Sequence, residues 1–196
     1  MSQIKPRQIK PRALRWTVKE YLRVAELGAF RNQRVELIEG VIVKMPPMLS
    51  YHAATIRMSQ RNLEDVFGPG HWVRIQMPLQ FGRRSAPEPD LAVVVGDAEN
   101  FLSAHPSTAL LIVEVSDSSL YYDRGRKASL YARAGIADYW IVNLVKRQLE
   151  VRRNPVADPA QRYGFGYADV TILTKADHVA PLAAPNARIA VAALLP

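Results

Sequence analysis

The sequence predicts an α/β (α+β) protein: a central mixed β-sheet flanked by helices, with an extra N-terminal hairpin and short C-terminal strands. Three observations point there. Helical and strand-like segments follow in the order α-β-β-α-β-β-β-α-β-β-β, and a run of three strands, a helix and a further strand calls for a mixed sheet. Glycine and proline mark most of the boundaries. Two apolar runs, Asp90 to Val95 and Leu110 to Ser116, are short enough to be buried strands and carry a carboxylate near one end.

Thr17-Val-Lys-Glu20 matches a capping box, and Tyr21, Leu22, Val24, Ala25 and Leu27 follow at helical spacing until Gly28. Arg34–Ile38 and Val41–Met45 read as a hairpin with Glu39-Gly40 at the turn. Ser50 is placed to cap a second helix that runs to about Phe67 and breaks at Gly68-Pro69-Gly70. Trp72–Gln76 and Leu79–Phe81 read as strand interrupted by Pro78, and 82–89 as a loop. Strands at 90–95 and 109–116 follow, then a helix from Asp123 to Ala134 closed by Gly135. Strands at 137–142 and 148–152 come next, and short strands at 170–173, near Val179 and near Ile189, ending in 190–195.

At 196 residues, the expectation is one domain over 17–196 preceded by a basic arm over 1–16. That arm holds Lys5, Arg7, Lys10, Arg12 and Arg15 with no acid, and repeats Gln-Ile-Lys-Pro-Arg at 3–7 and 8–12. It reads either as an unstructured tail or as a phosphate-contacting segment. The net charge of +8 favours an acidic partner without selecting nucleic acid. The apolar runs fall far short of the roughly 18 residues that span a bilayer. No apolar stretch follows the basic N-terminus, so a cytoplasmic location is expected. The chain has no cysteine, which removes disulfides, thiol nucleophiles and thiolate metal sites. Any metal must then be held by oxygen or imidazole, and carboxylates favour Mg²⁺, with Mn²⁺ as a substitute. His52, His71, His105 and His178 are dispersed and lack zinc-motif spacing, and no glycine-rich phosphate loop or Gly-x-Ser-x-Gly is present.

The chemistry concentrates on three residues. Asp90 begins one apolar strand and Glu114 lies near the end of the next, 24 positions on, a spacing that suits neighbouring strands. A buried carboxylate costs several kcal/mol unless it is paired or bound to a cation. If the two strands are neighbours, both acids approach one cation, which would orient a water and stabilise phosphate charge. Lys127, on the following helix, would stabilise the transition state or position the water. Lys127 and Tyr131 share a helix face. Ser116 points to the same side of its strand as Glu114. Asp123 suits either the site or a helix cap. Rival readings stand beside these. Asp90 also suits a strand start bonded to loop amides, and Glu114 a salt bridge with Lys127 or an arginine. Glu36 alternates with Val35 and Leu37 as an exposed strand residue would, and His52 suits a structural role.

Pro89-Asp90, Val113-Glu114-Val115-Ser116, Asp123-x-x-x-Lys127, Tyr131-Ala132 and Gly135-Ile-x-Asp-Tyr-Trp140 together resemble the Uma two family of restriction endonucleases. Val35–Gly40 and His52 match its N-terminal signature, so the resemblance runs from about Thr17 to the C-terminus. It implies the PD-(D/E)xK, restriction-endonuclease-like fold and a Mg²⁺-dependent endodeoxyribonuclease acting on DNA. Asp90 and Glu114 match the metal-binding acids. Lys127 matches a lysine displaced from the strand onto the next helix, and Ser116 stands where the strand lysine would be. Glu36 looks like an additional upstream acid. His52 and Tyr131 match signature positions of unassigned role. Asp117, where the family commonly has proline, and Asn143, where aspartate is usual, depart from the pattern. Arg83, Arg84, Arg124, Arg126 and the arm are candidates for phosphate contacts, and a homodimer would suit cutting two strands. The alternatives are a nucleic-acid-binding module without turnover, and a structural or oligomeric protein with a buried Glu–Lys ion pair.

Overall fold

The structure, a computed structural model, describes residues 12–196, so most of the basic arm lies outside the described residues. The first helix, α1 (Val18–Glu26), starts with the expected capping box: Thr17 Oγ1 accepts from the Glu20 amide while the Glu20 carboxylate accepts from the Thr17 amide. A two-stranded hairpin, β1 (Val35–Ile38) and β2 (Val41–Lys44), turns at Glu39-Gly40, both with positive φ. That backbone is the form two-residue hairpins favour. A Cβ on Gly40 would lie 2.8 Å from the Arg15 Cβ and 3.0 Å from the Trp16 carbonyl, so only glycine fits. The second helix, α2 (Ser50–Phe67), places Leu49 rather than Ser50 at the cap position, and no side chain caps it.

The main sheet has six strands: β3 (His71–Ile75), β4 (Leu91–Val95), β5 (Leu111–Ser116), β6 (Asp138–Asn143), β7 (Gln148–Ala157) and β8 (Phe165–Leu173). They lie in that order across the sheet. All neighbours are antiparallel except β5 and β6, which run parallel. The crossover between that parallel pair carries α3 (Leu120–Tyr122), a π-helical turn (Asp123–Lys127) and α4 (Ala128–Arg133). One apolar cluster joins Ile56, Leu63 and Phe67 of α2 to Leu91, Val113, Val115 and Trp140 of the sheet. A second joins Leu130 and Tyr131 of α4 to Ala92, Ile112, Tyr139 and Ile141 on the other face. The sheet is therefore sandwiched between α2 and α4, as the mixed-sheet expectation requires.

Several boundaries differ from expectation. Leu79–Phe81 forms no strand; Phe81 makes only an isolated bridge to Ser85. The outer hairpin is much longer than its apolar residues suggest, because β7 and β8 pair over their solvent-facing residues as well. Pro155 is tolerated inside β7 because pairing with β6 ends at Arg153, leaving that edge without a ladder to break. β9 (His178–Val179) and β10 (Ile189–Ala190) pair as a small sheet, but 191–194 coil into a 3₁₀ turn instead of strand. The crossover helix begins at Leu120, upstream of Asp123, so Asp123 lies within the helical crossover and does not cap it.

Candidate functional site

The β4–β5 register aligns Leu91 with Val113 and so sets Asp90 beside Glu114 at the mouth of the sheet. The two are cross-linked: the Val115 amide donates to Asp90 Oδ2 at 2.9 Å, and the Asp90 amide approaches Glu114 Oε2 at 3.4 Å. Lys127 arrives from the crossover. In the π turn, the Ala128 amide reaches back to the Asp123 carbonyl, and both Asp123 and Lys127 are buried. Such wide turns inside helices occur often at functional sites. Lys127 Nζ donates to Glu114 Oε1 at 2.9 Å and to Glu36 Oε1 at 3.1 Å. Tyr131, one turn on, donates to Glu114 Oε1 at 2.6 Å. The hairpin thus supplies Glu36, the sheet supplies Asp90 and Glu114, and the helix supplies Lys127 and Tyr131.

The surrounding residues fix these groups. His52 Nε2 on α2 lies 3.2 Å from Asp90 Oδ2, and Gln76 Nε2 donates to Asp90 Oδ1 at 3.0 Å. Ser116 and Ser119 donate to Asp123 Oδ2 at 2.5 and 2.6 Å. Ser116, in the position expected to be vacated by a strand lysine, holds the helix acid. The structure therefore brings together Glu36, His52, Asp90, Glu114, Ser116, Asp123, Lys127 and Tyr131. Glu36 is buried, not an exposed alternating strand residue.

Glu36, Asp90, Glu114 and Asp123 are each 5% exposed or less, and Lys127 is the buried lysine among them. One ammonium cannot balance four carboxylates. Burial pushes the Glu36, Glu114 and Asp123 carboxyls up, against the pull of Lys127. Burial also acts to raise Asp90, but the His52 hydrogen bond and charge, Lys127 and Gln76 together hold it below the usual carboxylate range. The four carboxylates hold Lys127 well above its ordinary value despite burial. Glu36 Oε2 is buried without a hydrogen-bond partner among the described residues.

These groups line one cleft with about 60 Å³ of free volume, walled by Met45–Leu49 and by Arg34, Tyr51, Glu88 and Asp117. Cavities of that size admit water among polar partners. Sequence reasoning passed over several of these. Gln76 follows its strand with φ of +49° and turns its amide onto Asp90. Glu88, two residues before Asp90, is lifted to about 7 by burial and by Glu36. Asp117, noted only as a departure, accepts a hydrogen bond from Tyr51 across the cleft. The Pro-Glu-Pro-Asp run around Glu88 was the available signal; a lone polar residue such as Gln76 gave none.

The expected basic residues do not join the cleft. Arg124 is held by Glu150, with Nε at 3.1 and 3.0 Å from the two carboxylate oxygens. Arg83 and Arg84 line a separate hollow with Thr17, Glu39 and Arg133. Arg126 lies on the outer side of the π turn, its guanidinium 5.6 Å from the centre of the Tyr122 ring.

The donor set fits a hard divalent cation. Its members are carboxylate oxygens, and Mg²⁺ usually takes one or two protein carboxylates and keeps several waters. Among the described residues no three carboxylate or imidazole groups already form a cage, so water or substrate oxygens would complete any coordination.

The family model described as "Putative restriction endonuclease", Uma2, matches residues 18–192. The chain belongs to the Uma2 family. A crystal structure described as "a putative nuclease belonging to DUF820", from Anabaena variabilis, is similar to this chain with a TM-score of 0.68. The two are 16% identical, and the match covers 91% of this chain and 96% of that one. That likeness shows a shared fold. No curated protein matches the chain. Of the residues that carried the resemblance, Glu36, His52, Asp90, Glu114, Val115, Asp123 and Lys127 line the cleft, and Tyr131 donates to Glu114. Among the described residues, no helix is long and apolar enough to cross a membrane.

Proposed function

We propose that this Uma2 chain is a metal-dependent endonuclease that hydrolyses DNA phosphodiester bonds. The observation that carries the reading is that Asp90 and Glu114 meet from adjacent strands and that Lys127 from the crossover reaches Glu114. Asp90 and Glu114 would hold Mg²⁺ or Mn²⁺. When bound, the cation would lower the pKa of a water and neutralise charge on the phosphate. The chain's own residues do the rest. Lys127 presents an ammonium fixed by two glutamates, placed to stabilise the developing phosphorane charge or to orient the attacking water. Tyr131 and Glu36 orient Lys127 and Glu114, while His52 and Gln76 hold Asp90. Asp123, fixed by two serines, anchors the turn that delivers Lys127.

A purely structural ion pair would account for Lys127 and Glu114 alone. It leaves Asp123 without an ion pair, Asp90 with only His52 opposite it and one oxygen of Glu36 without a hydrogen-bond partner among the described residues, and an under-compensated buried carboxylate is costly. A cation resolves that imbalance. The test is cleavage of supercoiled plasmid and of single-stranded DNA with Mg²⁺ or Mn²⁺ by wild type, Asp90→Ala and Lys127→Ala. Wild type is expected to cut and both variants to lose activity by about 10²-fold or more, the scale seen when one transition-state donor is removed. No cutting by wild type, or full cutting by both variants, would sink the reading. Melting curves accompany the assay, because removing Lys127 leaves buried acids unpaired at a cost of about 3–5 kcal/mol.

A further inference from the structure

Acids outnumber Arg34 and Lys127 around the cleft, so a nucleic-acid substrate calls for further positive charge outside it. Such charge lies on the outer side of the π turn. While Asp123 and Lys127 face inward, Arg124, Gly125 and Arg126 face a hollow of about 480 Å³ that Tyr121 and Arg162 complete. That volume falls within the roughly 300–1,000 Å³ of small-ligand sites. Arg124 is neutralised by Glu150, but Arg126 and Arg162 have no carboxylate partner among the described residues. Tyr121 is 93% exposed, and among the described residues its ring makes no aromatic or cation–π contact. Gly125 has no packing reason either: among the described residues a Cβ there would meet nothing within 4 Å, and its φ is not in the positive region. A glycine within a helical segment costs about 1 kcal/mol relative to alanine, so its absent side chain asks for another cause, an open floor.

We propose that this hollow binds an unpaired nucleotide of the substrate strand, with Tyr121 stacking on the base and Arg126 and Arg162 contacting flanking phosphates. The inference rests on the reading that the chain acts on nucleic acid, and it adds a strand form and a place. An exposed tyrosine flanked by unpaired arginines suits a splayed base; stacked duplex bases would not reach the ring.

The test is fluorescence anisotropy of the full chain in EDTA with two labelled probes, a 12-nucleotide oligo-dT and a 12-base-pair duplex. Tyr121→Ala is expected to weaken oligo-dT binding at least about 5-fold, the low end for losing one stacked base, with little change for duplex. The Arg126→Ala, Arg162→Ala double variant should flatten the salt dependence of oligo-dT binding by about 1.4 in log–log slope, for two lost phosphate contacts. Gly125→Ala should melt no lower than wild type yet bind oligo-dT more weakly. Unchanged oligo-dT binding by Tyr121→Ala, equal losses on both probes, or no binding by wild type would each overturn the proposal. Binding without metal is read separately from cleavage. If wild type cuts DNA while these variants bind normally, the hollow is wrong and the nuclease reading stands. If the variants lose binding but wild type never cuts, the hollow stands and the nuclease reading fails.

Discussion

Glu114 and Lys127 show how much a single charge in an apolar context reveals. Glu114 lies within the run Leu-Leu-Ile-Val-Glu-Val, and burying it demanded a partner; the partner is Lys127 at 2.9 Å. Glu36 was harder to place, because period-two alternation looks the same whether the polar face meets water or a buried lysine. Tyr131→Phe removes one donor to a charged acceptor and should cost about 1.5–3 kcal/mol of stability. Chemical denaturation checks it; an unchanged midpoint would show that Glu114 finds another donor. Glu88 gives a pH prediction. Its carboxyl is lifted from 4.5 to about 7 by burial and by Glu36. Ionising it therefore works against the fold, and its contribution weakens stability as pH rises from about 4.5 to above 7. In EDTA, Glu88→Gln should melt above wild type at pH 8, and that advantage should vanish at pH 4. An equal difference at both pH values would contradict the assignment.

At the scale of elements, strands buried on both faces were legible and the exposed ones were not. β4, β5 and β6 are mostly apolar, with their few polar residues near strand ends, because α2 and α4 cover the sheet. β7 and β8 extend well past their apolar residues, since backbone pairing needs no apolar side chain. The π turn had no signal in Asp-Arg-Gly-Arg-Lys beyond its glycine, yet it orients the lysine. Its outer side is tied to β7 by Arg124 and Glu150. Burial acts to raise Glu150, but Arg124, Asn143 and Arg152 hold it below the usual range. A depressed carboxyl stabilises the fold above its unfolded value and loses that contribution as pH falls through the folded one. Arg124→Ala should therefore destabilise by about 1–2 kcal/mol at pH 7 and by less at pH 3, as melts at the two pH values would show. An equal loss at both would mean that the pair contributes packing alone.

Across the whole molecule, the mixed sheet does one thing that no segment does alone. It sets β4 beside β5 so that acids 24 residues apart meet, and the right distance then exists for a lysine from the crossover. The Uma2 resemblance supplied that arrangement as an expectation; patterning alone left the convergence open, because register is a property of the pairing and not of either strand. Arg126 and Arg162 lie outside the cleft that holds the acids, Lys127 and Arg34, so the proposed strand binding and the proposed chemistry would occupy separate places. The central claim is that Asp90 and Glu114 hold one divalent cation beside Lys127. Anomalous diffraction from Mn²⁺-soaked crystals of wild type and of Asp90→Ala measures this directly. A single manganese peak between the Asp90 and Glu114 carboxylates, absent from the variant, is the predicted result. A wild-type cleft without manganese at saturating concentration, its acids satisfied by Lys127 and protons alone, would contradict the account.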